Sequence, residues 1–346
     1  MPESRPTSLF DEPAPPPAPR AAVHAVDPGE ECQRIGRLLP ASVHLGTSSW
    51  SFPGWRGLVW AGEHTEAVLA RQGLAAYAAH PVLRAVGIDR SFYAPLASAE
   101  FARYAAQVPE SFRFVVKAPA RVTDALIRGE RGAPAAPNPH FLDAPSAAED
   151  FVAPTLEGLG AKAGPLVFQL SPLPAEMSRT PEAAHAFIDR LAVFLDALPR
   201  QVGELTPLYA VELRNPELLT RRFVRMLRDC GVRLCLGLHA RMPEAARQSA
   251  ALRAMDGDPE EGDDWRMKGP LVVRWSLHAG LRYEQARSRY APFDRLIDPD
   301  IPTRGTLAHL VHVAIKSGQA SYVIANNKAE GSAPLSMIEL ARAVVR

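Results

Sequence analysis

Lysine is scarce in this 346-residue chain: Lys117, Lys162, Lys268, Lys316 and Lys328 stand against 34 arginines. With 39 basic and 38 acidic residues, the net charge is +1. So balanced a chain lacks the basic excess of a general nucleic-acid or membrane-surface binder. Cysteine is nearly missing too. Cys32, Cys230 and Cys235 are odd in number and have no C-x-x-C spacing, which suggests neither a disulfide framework nor a zinc site. No apolar run is long enough to span a bilayer, and no apolar signal region opens the chain. The expectation is a cytoplasmic protein with no membrane partner. The turn after the first candidate strand is not G-x-G-x-x-G, and no G-x-S-x-G elbow occurs, so neither a dinucleotide fold nor a nucleophilic hydrolase is supported.

What is present is a core and an alternation. Hydrophobic residues make up 47% of the chain, enough for one large α/β domain. Residues 1–40, with the proline-rich run Pro13–Pro19, read as a disordered tail. From residue 41 to 346 a single domain is expected. Candidate strands are Val43–Ser48, Arg84–Arg90, Phe112–Lys117, Leu166–Leu170, Leu208–Leu213, Val232–Leu236, Leu271–Trp275 and Ser321–Asn326. Several are continuous apolar runs, as strands covered on both faces should be. Amphipathic helices fall between them. Thr180-Pro181 opens one, Ser146-x-x-Glu149 suggests a capping box for another, and Gly231 and Gly318 close two more. Eight such units predict a parallel (β/α)8 TIM-type barrel. Two connections are long, Pro119–Pro145 and His278–Arg304, and both follow strand ends on the side where barrel sites lie.

Polar side chains end nearly every strand: Ser48 and Trp50, Asp89, Lys117, Gln169, Glu212 and Arg214, His239, Arg274, then Asn326 and Asn327. Strand parity points Lys117, Glu212 and Arg274 into the barrel while Phe112 and Phe114 meet the helices. A Lys–Glu–Arg cluster at the mouth has two readings. It could hold an anionic substrate, with arginine gripping phosphate or carboxylate and Glu212 as acid/base. It could equally be a structural ion-pair network. His239 and His278, with Asp89 and Glu212, could take a divalent metal, though no H-x-H or H-E-x-x-H pattern occurs; otherwise the histidines are hydrogen-bonding loop residues. No cofactor is predicted. Trp50, Phe52, Trp55 and Trp60 crowd the first loop, either to stack on a ligand or to cover the barrel end. Arg56 either leans into the mouth or stays solvated.

These residues also resemble a family. Gly46-Thr47-Ser48-Ser49-Trp50-Ser51-Phe52-Pro53-Gly54-Trp55-Arg56-Gly57 is similar to the opening signature of the YecE-like family of unknown function. Ser91-Phe92-Tyr93, Phe114–Pro119, Leu166–Leu170, Val211–Arg214, Arg274–His278 and Ala325-Asn326-Asn327 resemble its later blocks, in order. The resemblance covers residues 43–345 and implies a TIM-type barrel with these motifs at strand ends. It supplies no reaction. Gly87 stands where members often carry a glutamate, with Asp89 two positions on.

The sequence therefore leads to an enzyme acting on a small anionic metabolite, a phosphorylated sugar or nucleotide fragment. Arg214 and Arg274 would bind the anion, and Lys117 and Glu212 would handle protons. Trp50, Arg56, Asp89, Tyr93, Gln169, His239, His278, Asn326 and Asn327 would line the site. A non-catalytic barrel that binds a ligand or partner through the same mouth is the alternative. Nucleic-acid binding through the first loop is the weakest reading at this net charge. The sequence does not specify an oligomeric state.

Overall fold

A computed structural model of the chain describes residues 22–129, 133–257 and 265–346. Its core is a closed barrel of eight parallel strands: β1 Val43–Thr47, β2 Leu83–Ile88, β3 Arg113–Lys117, β4 Ala163–Gln169, β5 Tyr209–Glu212, β6 Arg233–Leu238, β7 Leu271–Trp275 and β8 Ser321–Ala325. Each strand pairs with its neighbour in sequence, and β8 closes on β1 in register from Val43↔Ser321 to Thr47↔Ala325. The expected TIM-type barrel is what the chain forms.

The period of two along each strand sorts the side chains. Ala85, Val115, Val167, Ala210, Cys235, Val272, Tyr322 and Ile324 fill the barrel interior. Leu45, Val86, Phe114, Phe168, Val211, Leu236, Val273 and Val323 belong to the larger cluster under the helices. Thr180 caps the helix Pro181–Asp196 by accepting from Ala183 N, and Phe187, Ile188, Leu191, Phe194 and Leu195 are the buried face. Thr220 does the same for Arg221–Asp229, whose Phe223, Val224 and Leu227 are buried. Among the described residues no helix is long and apolar enough to cross a membrane.

Two local expectations are corrected. The tail does not run to residue 40. Gly29–Leu38 is a helix with Cys32 and Ile35 buried, and Arg84 donates to the carbonyls of Gly36, Leu39 and Pro40 behind it. Its apolar stripe is thin, but three carbonyls held by one guanidinium tie the segment to the domain. The run Pro13–Pro19 lies outside the described residues. The capping box at Ser146 is not used either. Asp143 caps that turn by accepting from Ser146 N, because a carboxylate three residues earlier reaches the free amide first.

Both long connections leave the C-terminal end of the barrel. The first holds a short helix, Ala120–Thr123, and the hairpin of Leu126–Arg128 with Pro134–Pro137. The second holds the helix Tyr283–Tyr290. It is tied to the turn after β8: Ile297 N and Asp298 N donate to Glu330 O, Asp300 N donates to Glu330 Oε1, and His278 N donates to Lys328 O. Asn326 Nδ2 reaches Ser48 Oγ at the end of β1 in the same turn. Gly54 of the first loop also supports this connection. A Cβ there would sit 1.7 Å from Pro292 O, so only glycine fits.

Candidate functional site at the C-terminal mouth of the barrel

The inward positions at the strand ends converge on one guanidinium. Arg274, on the inward face of β7 above Val272, is nearly buried. Its Nη1 donates to Glu212 Oε2 at 2.6 Å and to Gln169 Oε1 at 2.9 Å. Its Nη2 lies 2.7 Å from each oxygen of Asp89. Strands β2, β4, β5 and β7 are thus joined through one side chain. Burial opposes the charge of Arg274, but Asp89 and Glu212 outweigh it and hold the pKa above the usual arginine value.

Glu212 has no exposed side-chain surface. Burial alone would raise its pKa, yet Arg214, Arg274 and Lys117 prevail and hold it below the ordinary range. The two guanidinium groups that close on it hold the charged form. The space above β6 is cut to suit it: a Cβ on Gly237 would lie 2.7 Å from Glu212 Cγ. Arg274 has both terminal nitrogens on protein oxygens and ties the cluster together.

Arg214 differs. Its Nη2 donates to Gln169 Oε1 at 2.9 Å and lies 2.7 Å from Glu212 Oε1, an ion pair without hydrogen-bond alignment. Its Nη1 is buried and has no partner among the described residues. A buried guanidinium N–H left open is costly; Arg233 Nη2, beside Asp256, is open in the same way. Lys117 is similarly placed. Its Nζ sits 3.4 Å above the Phe92 ring, and no hydrogen bond or ion pair engages it among the described residues. Burial, then the Arg274 charge, bring its pKa down to about 7, with Asp89 and Glu212 opposing. His239, beyond β6, is pulled to about 4 by burial and then by Arg214. It is neutral at physiological pH, with Nδ1 accepting from Arg241 N.

The family follows from the sequence match. A family model described as protein of unknown function DUF72 covers residues 44–346. The chain belongs to the DUF72 family. The YecE-like resemblance is to this same family. Solved DUF72 structures share the fold. The protein from Thermotoga maritima MSB8 matches at TM-score 0.55 and 18% identity, over 87% of this chain and 98% of its own. The protein from Enterococcus faecalis V583 matches at TM-score 0.54 and 18% identity, over 87% and 95%. No curated protein matches the chain.

In this DUF72 member, a Cβ at Gly87 would approach Ser48 Cα to 3.1 Å, a tight contact. The carboxylate sits two residues on, at Asp89. A spacing of two keeps the same face of a strand, so the acid still enters the mouth.

Not every expected residue comes to the mouth. Trp50 is buried, with its Nε1 on Ala70 O and its ring edge-on to Tyr104; it is local core. Arg56 is exposed and pairs with Glu63. Asn327 is buried, and its Oδ1 accepts from Trp55 Nε1 at 3.1 Å and Ala333 N at 2.8 Å. It fastens the first loop, and its Nδ2 is buried without a hydrogen-bond partner among the described residues. Asn326 does stay at the mouth through Ser48. His278 Nδ1 contacts Ala279 O in the long connection. Tyr93 is 86% exposed at the rim and stacks edge-on against Phe92. Among the described residues no group of three or more His, Cys, Asp and Glu is arranged to hold a metal, so His239, His278, Asp89 and Glu212 do not form the set considered above.

Two mouth residues escaped the sequence reading, Lys328 and Tyr283, and Phe92 stood there only within the Ser91-Phe92-Tyr93 block of the resemblance. Lys328 is buried, its Nζ 4.3 Å over the Tyr283 ring, and its pKa falls to about 8 through burial and then Arg287. Scarcity was the available signal. Where arginine fills almost every basic position, a lysine directly after a strand end stands out. The thiols offer no chemistry here. Cys235 lies inside the barrel below Glu212, where burial and then that carboxylate push it well up. Cys32 does have a histidine beside it, His80 Nε2 at 3.7 Å. Both are buried, the thiol raised and the imidazole lowered to about 4, so no thiolate forms.

A groove of about 470 Å³ also opens between the helices Arg221–Asp229 and Ala245–Met255, lined partly by Val224, Ala250 and Trp265. It lies in the outer helical ring, away from the strand ends on which the charged groups converge.

Proposed function

We propose that this DUF72 protein is a cytoplasmic enzyme whose substrate is a small anionic metabolite, a phosphorylated sugar or nucleotide fragment, bound at the barrel mouth. The observation that carries the reading is the buried, unpartnered Nη1 of Arg214. A phosphate or carboxylate oxygen would complete that group. Charge balance supports the same reading. Asp89 and Glu212 are both committed to arginine, so the charge of Lys328 and of the protonated fraction of Lys117 is cancelled by no carboxylate of the cluster. Arg214 binds the anion, Lys117 handles the proton, Gln169 and Asn326 orient the substrate, and Tyr93 covers it from the rim. Glu212, Arg274 and Asp89 position Arg214. The three buried free cysteines suit a reducing compartment.

The test is a thermal-shift panel of phosphorylated sugars, nucleotides and carboxylic acids, followed by product detection on each hit. A ligand at a hundredfold excess over its dissociation constant adds about 2.7 kcal/mol, which is several degrees for a domain of this size. Loss of the shift in Arg214→Met, with the fold retained, locates the anion. A shift without product for any hit would favour the non-catalytic barrel. No shift with any anion would remove the reading.

A further inference from the structure

We propose that Lys117 is a nucleophile toward carbonyl carbon, and that the anionic ligand of the mouth is an aldehyde or ketone captured on Lys117 as an imine. The proposal rests on the reading of the mouth as an anion site and names the substrate class.

Geometry is the first support. Lys117 ends β3 on the inward face, and its Nζ lies over the π face of Phe92 with no hydrogen bond or ion pair among the described residues. Each nearby carboxylate is taken: both oxygens of Asp89 by Arg274, and those of Glu212 by Arg274 and Arg214. A structural lysine in this chain looks different. Lys162 donates to Ala105 O and Val108 O at 2.9 Å and pairs with Glu110. The second support is burial with the surrounding charge. Burial disfavours the ammonium most, Arg274 and more weakly Arg214 add to it, and with Asp89 and Glu212 opposing the pKa still falls to about 7. The third is the company Lys117 keeps. The open Nη1 of Arg214 can hold an anionic group while the carbonyl faces the amine. Arginine occupies 34 of the 39 basic positions and cannot do this chemistry, because its guanidinium stays protonated.

The step balances without a redox partner. The Nζ lone pair forms a bond to the carbonyl carbon, and the carbon–oxygen π pair moves onto oxygen. That oxygen takes the proton released by nitrogen and gives a carbinolamine. Loss of one water, with the second amine proton leaving on it, yields the carbon–nitrogen double bond.

The experiment uses the intact chain with pyridoxal 5′-phosphate as the anionic aldehyde, borohydride to fix the imine, and peptide mapping by mass spectrometry. At pH 7 an amine titrating near 7 has a neutral fraction on the order of a thousandfold above an ordinary lysine. Lower intrinsic nucleophilicity offsets part of that, so Lys117 should label at least about tenfold faster than Lys162, Lys268 or Lys316. Its rate should be half-maximal near pH 7. Pyridoxal, which lacks the phosphate, should label Lys117 about tenfold more slowly. Label spread evenly over the lysines, label concentrated on Lys328, or a midpoint near pH 10 at Lys117 would overturn the proposal. A parallel titration with inorganic phosphate separates the two readings. Phosphate that stabilises the protein while Lys117 stays unlabelled refutes the imine and leaves the anion site. Equal labelling by the two aldehydes, with no effect of phosphate, keeps the nucleophile and removes the anion site. All arms use the wild-type chain, so no result depends on a variant that must fold.

Discussion

Replacing Glu212 by glutamine isolates what the buried carboxylate does. The side chain has no exposed surface and lies 2.6 Å from Arg274 Nη1 and 2.7 Å from Arg214 Nη2. In a medium of effective dielectric about 20, each attraction amounts to about 4 kcal/mol at a charge separation of about 4 Å. Removing the charge forfeits both and recovers the carboxylate's desolvation, itself several kcal/mol. The net expectation is a loss of about 3–5 kcal/mol, since two buried guanidinium groups are left with Asp89 alone. Glutamine also presents an amide N–H₂ where one arginine needs an acceptor. Urea unfolding of wild type and Glu212→Gln measures the loss. The double variant Glu212→Gln with Arg214→Met removes the stranded charge and should recover at least about 1 kcal/mol relative to the single variant. A single variant within about 1 kcal/mol of wild type would refute the argument. So would a double variant whose losses simply add.

Three further outcomes are expected. Gly237→Ala places a Cβ 2.7 Å from Glu212 Cγ, so it should cost about 1–3 kcal/mol in urea unfolding; no cost would mean the carboxylate can swing aside. Asn327→Ala strands Trp55 Nε1 and Ala333 N in the interior, for about 1–3 kcal/mol per group. Phosphate affinity should be unchanged, and a large loss would return Asn327 to the site. The third concerns acid. Burial, with Arg113 and Arg84 nearby, lowers His44 to about 4, and burial lowers His80 to about 4. The unfolded chain therefore binds more protons between pH 4 and about 6.5. Stability should be fully present above that window and fall through it, by a few kcal/mol per histidine. Urea midpoints from pH 7 to 5 should fall less steeply in His80→Asn; parallel slopes would exclude His80.

How much of this could be read from sequence depends on the distance over which each rule acts. A period of two along a strand is local, so the inward placement of Lys117, Glu212 and Arg274 was legible. The partner of Arg274 was not, because Asp89 lies 185 positions away and only barrel closure brings them together. The state of Glu212 was hidden for the same reason. Nothing in Val211-Glu212-Leu213 reveals that two guanidinium groups close over it. Asn326 and Asn327 are adjacent, and alternation sends one to the mouth and the other to Trp55. Treating the pair as one motif obscured that split. The helix Gly29–Leu38 was missed because only Cys32 and Ile35 mark its buried face among polar residues, too few for a periodic signal.

The turn after β8 gathers contacts from every corner of the mouth: Asn326 to β1, Asn327 to the first loop, Lys328 to the segment after β7, and Glu330 to the far end of that segment. These residues follow all eight strands of the barrel in sequence order. Synthesis proceeds from the N-terminus, so a growing polypeptide carries Lys117, Glu212 and Arg274 long before it carries the turn that completes their enclosure. The enclosure is complete only where the last strand of the barrel pairs with the first. A chain stopped short of residue 326 would hold nearly all of the polar groups of the mouth and none of its clasp.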